Sequence, residues 1–173
     1  MTSNLKSNQP VPTEAQRFGH RGELLVLIQA IVFLSFLLVP AWNPWLTAPG
    51  MEATAFIRLG FLTTCFLIAM ILAGIGMLNL GANLTPLPFP RNDNKLVTSG
   101  IYAVVRHPLY ASQLFAALGW VAYSLSLSHL LILIGGFIFF DHKATKEEAW
   151  LGQRHPEYAS YARRVKKMIP WVY

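Results

Sequence analysis

The sequence predicts an all-α integral membrane protein of about four transmembrane helices, ending in a helical hairpin and carrying a cap on the cytosolic side. Three observations predict it. Only 13% of the 173 residues are charged and 54% are hydrophobic, whereas a soluble domain carries roughly 25% charged residues. Four apolar runs punctuate the chain, at 24–39, 55–80, 109–127 and 130–140. Lys and Arg collect in the N-terminal tail (Lys6, Arg17, Arg21), in the 81–108 loop (Arg91, Lys95, Arg106) and in the C-terminal tail (Arg154, Arg163, Arg164, Lys166, Lys167), while the connections 40–54 and 124–129 have none. Positive charge marks the cytosolic side of a membrane protein. Both termini and the long loop are therefore placed there, and the segments 81–110 and 141–164 share one face.

Composition excludes other classes. A net charge of +6 would suggest nucleic acid only if the basic residues formed a stripe on a folded surface, and here they sit at the two ends and in one loop. Cys65 is the single cysteine and lies within an apolar run. No intrachain disulfide or cysteine metal cluster is possible, and a small buried residue is the better reading than a catalytic thiol. The first residues are polar, hold Pro10 and Pro12, and show no secretory signal pattern. Residues 1–22 are expected to be a disordered cytosolic tail, and 23–173 a single domain.

The first run, Leu24 to Val39, is apolar apart from Gln29 and Ser35. It covers about 16 residues, about 19 with Trp42, against the ~20 needed to span. Trp42 and Trp45 suit an aromatic belt, and Pro40 and Pro44 stop the helix. The second run, Ala55 to Leu80, is long enough to span with tilt. Arg58 lies one turn in, near enough to snorkel, and Gly74 and Gly76 are small positions that permit close helix contact. The two glycines do not form a dinucleotide fingerprint, because no strand precedes them.

Gly81 to Val105 reads as the longest non-helical stretch. Pro86, Pro88 and Pro90 force an extended, partly polyproline chain. Leu84, Leu87, Phe89, Leu96, Val97 and Ile101 give it apolar content, which predicts a packed lid or strap. The third run, Leu109 to Leu127, ends in a turn marked by Ser124, Ser126, Ser128 and His129. The fourth, Leu130 to Phe140, has about 11 residues; it rises ~16 Å, too little for a ~30 Å core. The helix must extend on both sides, over about Ser128 to Trp150, its later turns protruding with Asp141, His142, Lys143, Lys146, Glu147 and Glu148. The basic, aromatic tail from Leu151 to Tyr173 suits a segment along the membrane surface.

The polar chemistry concentrates in Leu96 to Tyr110, LVTSGIYAVVRHPLY. Pro108 pushes His107 out of the helical region and is well placed as a first helical residue. Arg106 and His107 then stand at a helix mouth, whose partial positive charge favours an anionic or carboxylate-bearing ligand. A plain interfacial helix start would look similar. Lys143 and Glu147 share a helix face, with Glu148 beside it. They are either a solvated i,i+4 pair or a carboxylate for a cationic ligand with a lysine for an anionic one. The RHPxY pattern recurs as RHPEY at Arg154–Tyr158, but no apolar helix follows, so it counts as a chance echo. His20 and His129 read as surface or turn residues; His107, His142 and His155 are too scattered for a metal, and no nucleophile signature is visible.

LVTSGIYAVVRHPLY, a helical hairpin, the Glu147–Glu148 pair, Tyr158, Tyr161 and a closing basic-to-Ile169-Pro170 segment together resemble the isoprenylcysteine carboxyl methyltransferase family. These are membrane-embedded S-adenosylmethionine-dependent enzymes related to phospholipid methyltransferases. NLTPLPFP is similar to a loop in many bacterial members. The resemblance covers about residues 80 to 170 and implies that this is the catalytic half, forming a cytosolic catalytic cap. It implies S-adenosylmethionine as cofactor, bound by Lys95, Leu96, Val97, Tyr102, His107, Pro108, Leu109, Tyr110 and Glu147, with no metal. The unaided reading agrees, since Glu147 could pair with the cofactor's ammonium while His107 and the helix start take its carboxylate.

Members acting on a prenylated cysteine carboxylate have an Arg one turn before the acidic residue. Lys143 stands there instead, and a lysine is a point charge without the planar fork. Lys143 or, alternatively, Arg106 would clamp the acceptor. That acceptor is foremost an isoprenylcysteine-type carboxylate reaching the site from the bilayer; another lipophilic acid, a lipid amine or a thiol is the alternative. Only two helices precede the catalytic half, which leaves little scaffold for a protein substrate. Two further readings stand beside this one: a sterol-type membrane reductase using NADPH, and a non-catalytic membrane protein. The resemblance implies a prokaryotic plasma or internal membrane.

Overall fold

The computed structural model describes residues 22–44, 52–85, 87 and 95–173. The tail expected to be disordered lies outside the described residues apart from Gly22, and so do Trp45, Phe89, Arg91 and the three loop prolines. Among the described residues five full helices follow one another: α1 (Glu23–Leu38), α2 (Ala55–Leu80), α3 (Pro108–Ser124), α4 (Leu127–Arg154) and α5 (Tyr158–Arg164). Two single 3-10 turns, Gly81–Asn83 and Gly100–Ala103, interrupt the stretch expected to be wholly non-helical. Among the described residues there is no strand, only an isolated parallel bridge between Val105 and Lys166. The fold is all-α. Two helices are long and apolar enough to cross a membrane, Ala55–Asn83 and Leu127–Arg154; α1 is a shorter apolar helix. Large side chains such as Phe56, Ile57, Leu38 and Leu78 face outward, the kind of surface a bilayer covers.

Helix ends follow local chemistry. Pro108 is at the start of α3, and His107 before it is non-helical (φ −123°, ψ 65°). Ser126 caps α4 by accepting from His129 N at 3.3 Å. At the far end α4 outruns the expected Trp150 and stops at Arg154. His155 turns extended (φ −123°, ψ 98°) because Pro156 disfavours a helical conformation there.

Helices α2 and α3 pack through glycines. A Cβ on Gly119 would sit 2.8 Å from Cys65 Cβ, and one on Gly76 would sit 3.1 Å from Leu109 Cδ2. The close contact expected at Gly74 and Gly76 exists only at Gly76. Positions two apart on a helix do not share a face, and Gly74 faces open space. Arg58 does not simply snorkel: its guanidinium donates to Tyr123 O and lies 5.6 Å from the Tyr123 ring. The last carbonyls of a helix attract a cation.

The two Lys/Arg-free connections meet at one end of the bundle. The contacts there are backbone and hydroxyl bonds: Leu127 N to Trp42 O (2.9 Å), Trp42 N to Ser126 Oγ (3.2 Å), and Ser128 Oγ to Pro40 O (2.8 Å). His129, expected at the surface, is 4% exposed. Its Nδ1 is 2.7 Å from Ser126 Oγ and its ring meets Phe36 edge-on, because the first turn of α4 packs inward against α1.

At the opposite end the C-terminal residues fold back. Arg106 N donates to Lys166 O (2.8 Å) and His107 N to Lys167 O (2.9 Å). Lys167 and Tyr173 both hold Asp141 on α4. Val105, Ala111, Phe140, Ala144 and Met168 form the core beneath them. The tail is thus tied to α4, with Trp171 and Val172 left exposed. Gly100 is required here: it sits at φ +62°, and a Cβ would be 2.1 Å from Asn79 Oδ1, which accepts Ile101 N.

Candidate active site

A cavity of about 430 Å³ opens where α3 begins and α4 ends. Every residue expected to bind the cofactor or clamp the acceptor lines it, whereas Glu148 does not. Lys95, Leu96 and Val97 come from the segment after the loop, and Tyr102 from the second 3-10 turn. Arg106 and His107 lead into α3; Pro108, Leu109 and Tyr110 form its first turn; Lys143 and Glu147 project from α4. Leu84 and Leu87 close one side, so the described part of the loop packs over the cavity.

Glu147 and Glu148 are neighbours on α4 with different surroundings. Glu147 faces the cavity, where Tyr110 OH donates to its Oε2 at 2.9 Å and His107 Nδ1 lies 3.7 Å away. Glu148 is turned into the packing. Its Oε1 accepts from Arg106 Nε at 2.9 Å and lies 2.9 Å from His107 Nε2, with side chains 17%, 11% and 6% exposed for Glu148, Arg106 and His107. An ionised carboxylate only accepts, so His107 Nε2 carries the hydrogen. Arg106 also donates to Ala162 O (2.9 Å) and to Val165 O. It thereby ties the mouth of α3 to α4 and α5. The sequence showed the acidic doublet and placed Glu148 beside the Lys143–Glu147 face, but assigned Glu148 no role of its own; its ion pairs with Arg106 and His107 are what the structure adds.

Lys143 shares the cavity with Glu147, but the two do not pair. Lys143 is 2% exposed, its Nζ donates to Gln29 Oε1, and it lies 5.2 Å from the Tyr110 ring centre. A solvated helix end does not describe this residue. Gln29 Nε2 donates to Gln113 Oε1 (3.0 Å), and Gln113 Nε2 to Leu109 O (3.0 Å). Both glutamines line the cavity without having been singled out. A lone amide in an apolar run was the available signal.

Tyr158 and Tyr161 also line the cavity. Tyr158, the last residue of the RHPEY echo, opens α5, so that stretch brings in a wall residue although no apolar helix follows it. Tyr161 OH donates to Tyr102 O at 2.6 Å. Burial pushes the Tyr161 phenol up to about 12 and raises those of Tyr102 and Tyr158 as well. All three stay neutral donors across the physiological range.

A second cavity of about 860 Å³ lies between α1, α2, α3 and α4, walled by Phe33, Phe36, Phe66, Leu114 and Leu133 among others. Gln29 and Gln113 line both cavities, which adjoin there. Among the described residues no three His, Cys, Asp or Glu side chains gather as a metal site.

Residues 61–153, over half of the chain, match the model of the isoprenylcysteine carboxyl methyltransferase (ICMT) family. The chain belongs to this family. It is 30% identical over 143 residues to a protein-S-isoprenylcysteine O-methyltransferase of Dictyostelium discoideum, covering 76% of this chain and 56% of that protein. It is 38% identical over 81 residues to a cobalt-zinc-cadmium resistance protein of Cupriavidus metallidurans, covering 46% of this chain and 38% of that one. The fold is similar to a solved structure of a eukaryotic intramembrane Ras methyltransferase of the family, with TM-score 0.64 and 20% identity over 87% of this chain and 53% of that one. The chain thus spans roughly half the length of these relatives, or less. ICMT is an enzyme family of membrane proteins, and the all-helical architecture with its apolar spans agrees with it. The matched segment runs from α2 into α4 and includes the α3 mouth and the acidic doublet; α1 and α5 lie outside it.

Proposed function

We propose that the protein transfers a methyl group from S-adenosylmethionine to the carboxylate of a lipophilic, isoprenylcysteine-type acceptor at the cytosolic face of a membrane. The observation that carries this reading is the adjoining pair of cavities, one bearing the charged and hydroxyl side chains (and called the polar cavity for them) and one walled almost wholly by apolar groups, with a buried lysine of the first bonded to Gln29, which lines both.

The polar cavity suits the cofactor. Its size is within the usual range for ligand sites, about 300–1,000 Å³. Glu147 offers a carboxylate to a sulfonium or ammonium. Helical bonding in α3 begins at Ala111 N to His107 O, so Leu109 and Tyr110 N–H are opening donors for a carboxylate. Lys95, Leu96, Val97 and Tyr102 form the facing wall, and Pro108 fixes the first turn. S-adenosylmethionine supplies a methyl group already activated by its sulfonium, and the chain's task is alignment. No base is needed, because a carboxylate acceptor is ionised at neutral pH.

The acceptor's chain would lie in the apolar cavity, entering from the bilayer, with its carboxylate at Lys143. Arg106 has given three hydrogen bonds to Glu148, Ala162 and Val165. It acts as a positioning residue for His107, and the clamp role falls to Lys143. Residues 23–173 form one domain of four crossings, with the Lys/Arg-rich end that holds the cavity facing the cytosol.

Equilibrium binding of S-adenosylmethionine to the purified protein in nanodiscs tests the reading. Saturable binding is expected, weakened about 10- to 100-fold in Glu147→Ala, as for loss of a charge-assisted hydrogen bond. Binding of NADPH in its place would overturn it.

A further inference from the structure

Lys143 is a buried cation whose hydrogen-bond partner is neutral. Its Nζ donates to Gln29 Oε1, and among the described residues it makes no ion pair. Glu147, one turn along α4 in the same cavity, is the nearby carboxylate but does not contact it. A buried ammonium without a direct ion pair is costly, so an anion at Nζ would complete the position.

Gln29 stands between that ammonium and the apolar cavity, and its orientation is dictated from both ends. An ammonium can only donate, so Gln29 presents Oε1 to Lys143. Its Nε2 then donates to Gln113 Oε1 at 3.0 Å, and Gln113 Nε2 donates to Leu109 O, which can only accept, at 3.0 Å. One directed chain of bonds therefore runs from α4 through α1 to α3. Gln29 and Gln113 line both cavities, whereas Lys143 lines the polar one. Gln29 is also the one polar side chain of α1 between Glu23 and Ser35. A lone carboxamide in such a helix is not there for apolar packing.

We propose that Gln29 is a specificity-determining residue for the methyl acceptor: its carboxamide closes the passage between the cavities and yields Lys143 only to an anionic headgroup. This deepens, and rests on, the methyl-transfer reading. A carboxylate arriving from the apolar side takes over the Nζ donor as Gln29 Oε1 leaves it. The Gln29 N–H then reaches the second oxygen. A lysine and an amide together provide the two donors that a guanidinium fork provides from one side chain. A neutral ester must break the same bond and gains no charge pairing, so it is held less well. The methylated product is an ester, and the amide chain closes again behind it.

Binding of an S-farnesyl-N-acetylcysteine carboxylate and of its methyl ester to the protein in nanodiscs tests the gate without requiring turnover. The wild type is expected to bind the carboxylate at least tenfold more tightly than the ester. Gln29→Glu supplies Lys143 with a resident anion and is expected to lose tenfold or more in carboxylate affinity while changing ester affinity less than twofold. Gln29→Ala frees Lys143 and is expected to keep carboxylate affinity within threefold, or tighten it, while narrowing the preference over the ester. Equal losses for both ligands in both variants would mark Gln29 as a packing residue and overturn the proposal. So would an unchanged carboxylate affinity in Gln29→Glu, or a wild type that binds neither ligand. Methyl transfer from S-adenosylmethionine is measured separately. A carboxylate preference governed by Gln29 without methyl transfer would leave the gate standing and remove the methyltransferase reading.

Discussion

The two ends of the helix bundle are closed by different chemistry. At one end, Trp42, Asn43, Ser126, Ser128 and His129 join two connections through hydroxyl, amide and backbone bonds, with no carboxylate taking part. At the other, Arg106, His107, Glu148, Asp141 and Lys167 join the mouth of α3, α4 and the tail through charged groups. Both ends satisfy backbone and side-chain donors that an apolar bundle would otherwise leave stranded. The first end is not free of charge, since Arg58 donates to Tyr123 O there, but the cluster of carboxylate ion pairs lies at the other. Burying ions costs several kcal/mol each in desolvation, and among the described residues the paired carboxylates gather where the polar cavity lies. The charged scaffold is therefore part of the site, holding His107 and Glu147 in place, rather than a general device for stability.

The largest effect that would break this comparison is at Glu148. Its removal strands the Arg106 guanidinium and the His107 N–H in positions that are mostly buried. Glu148→Ala is expected to destabilise the protein by about 3–5 kcal/mol, the range for losing one partner of a buried pair. Glu147→Ala, one residue earlier, gives up a single hydrogen bond from Tyr110, worth about 1 kcal/mol. Denaturant unfolding of both variants in detergent measures the difference. Equal stabilities would mean that the charged end is not held by its ion pairs.

A mid-sized effect tests the region between the ends. Gly119→Ala would place a methyl 2.8 Å from Cys65 Cβ and 3.3 Å from Leu62 O, neither of which is the far end of a flexible side chain. Overpacking of this kind costs about 1–3 kcal/mol, and the same unfolding measurement reads it. If Gly119→Ala shifted S-adenosylmethionine affinity more than stability, the α2–α3 contact would belong to the site as well.

The bounds of α2, the non-helical His107 and the start of α3 at Pro108 were all legible in the sequence, because each depends on local hydropathy or on proline's own geometry. Around the polar cavity, Arg106, His107, Lys143 and Glu147 were legible from charge and spacing, whereas Lys95, Leu96, Val97 and Tyr102 were implied by the family resemblance. What stayed hidden depends on rotation about a helix axis and on contacts far apart in the chain. Glu147 and Glu148 differ only in which way they point, and Gln29 meets Lys143 across 114 positions. His129 reads as a turn residue until α1 is packed beside it. Gly74 and Gly76 look equivalent until one of them faces α3.

The smallest effect sharpens the comparison from the neutral side. Ser126 caps α4 and also receives Trp42 N, so it fixes both connections at that end. Loss of an N-cap hydroxyl costs typically about 1 kcal/mol, and Ser126→Ala is expected to lose about that much in stability. S-adenosylmethionine affinity is expected to stay the same, because the bonds of the Ser126 hydroxyl go to Trp42, Ser128 and His129 and, among the described residues, none reaches the polar cavity. A variant that lost ligand affinity along with its cap would show that the bundle transmits strain along α4 from Ser126 to Glu147, and the two ends would then have to be treated as one cooperative unit.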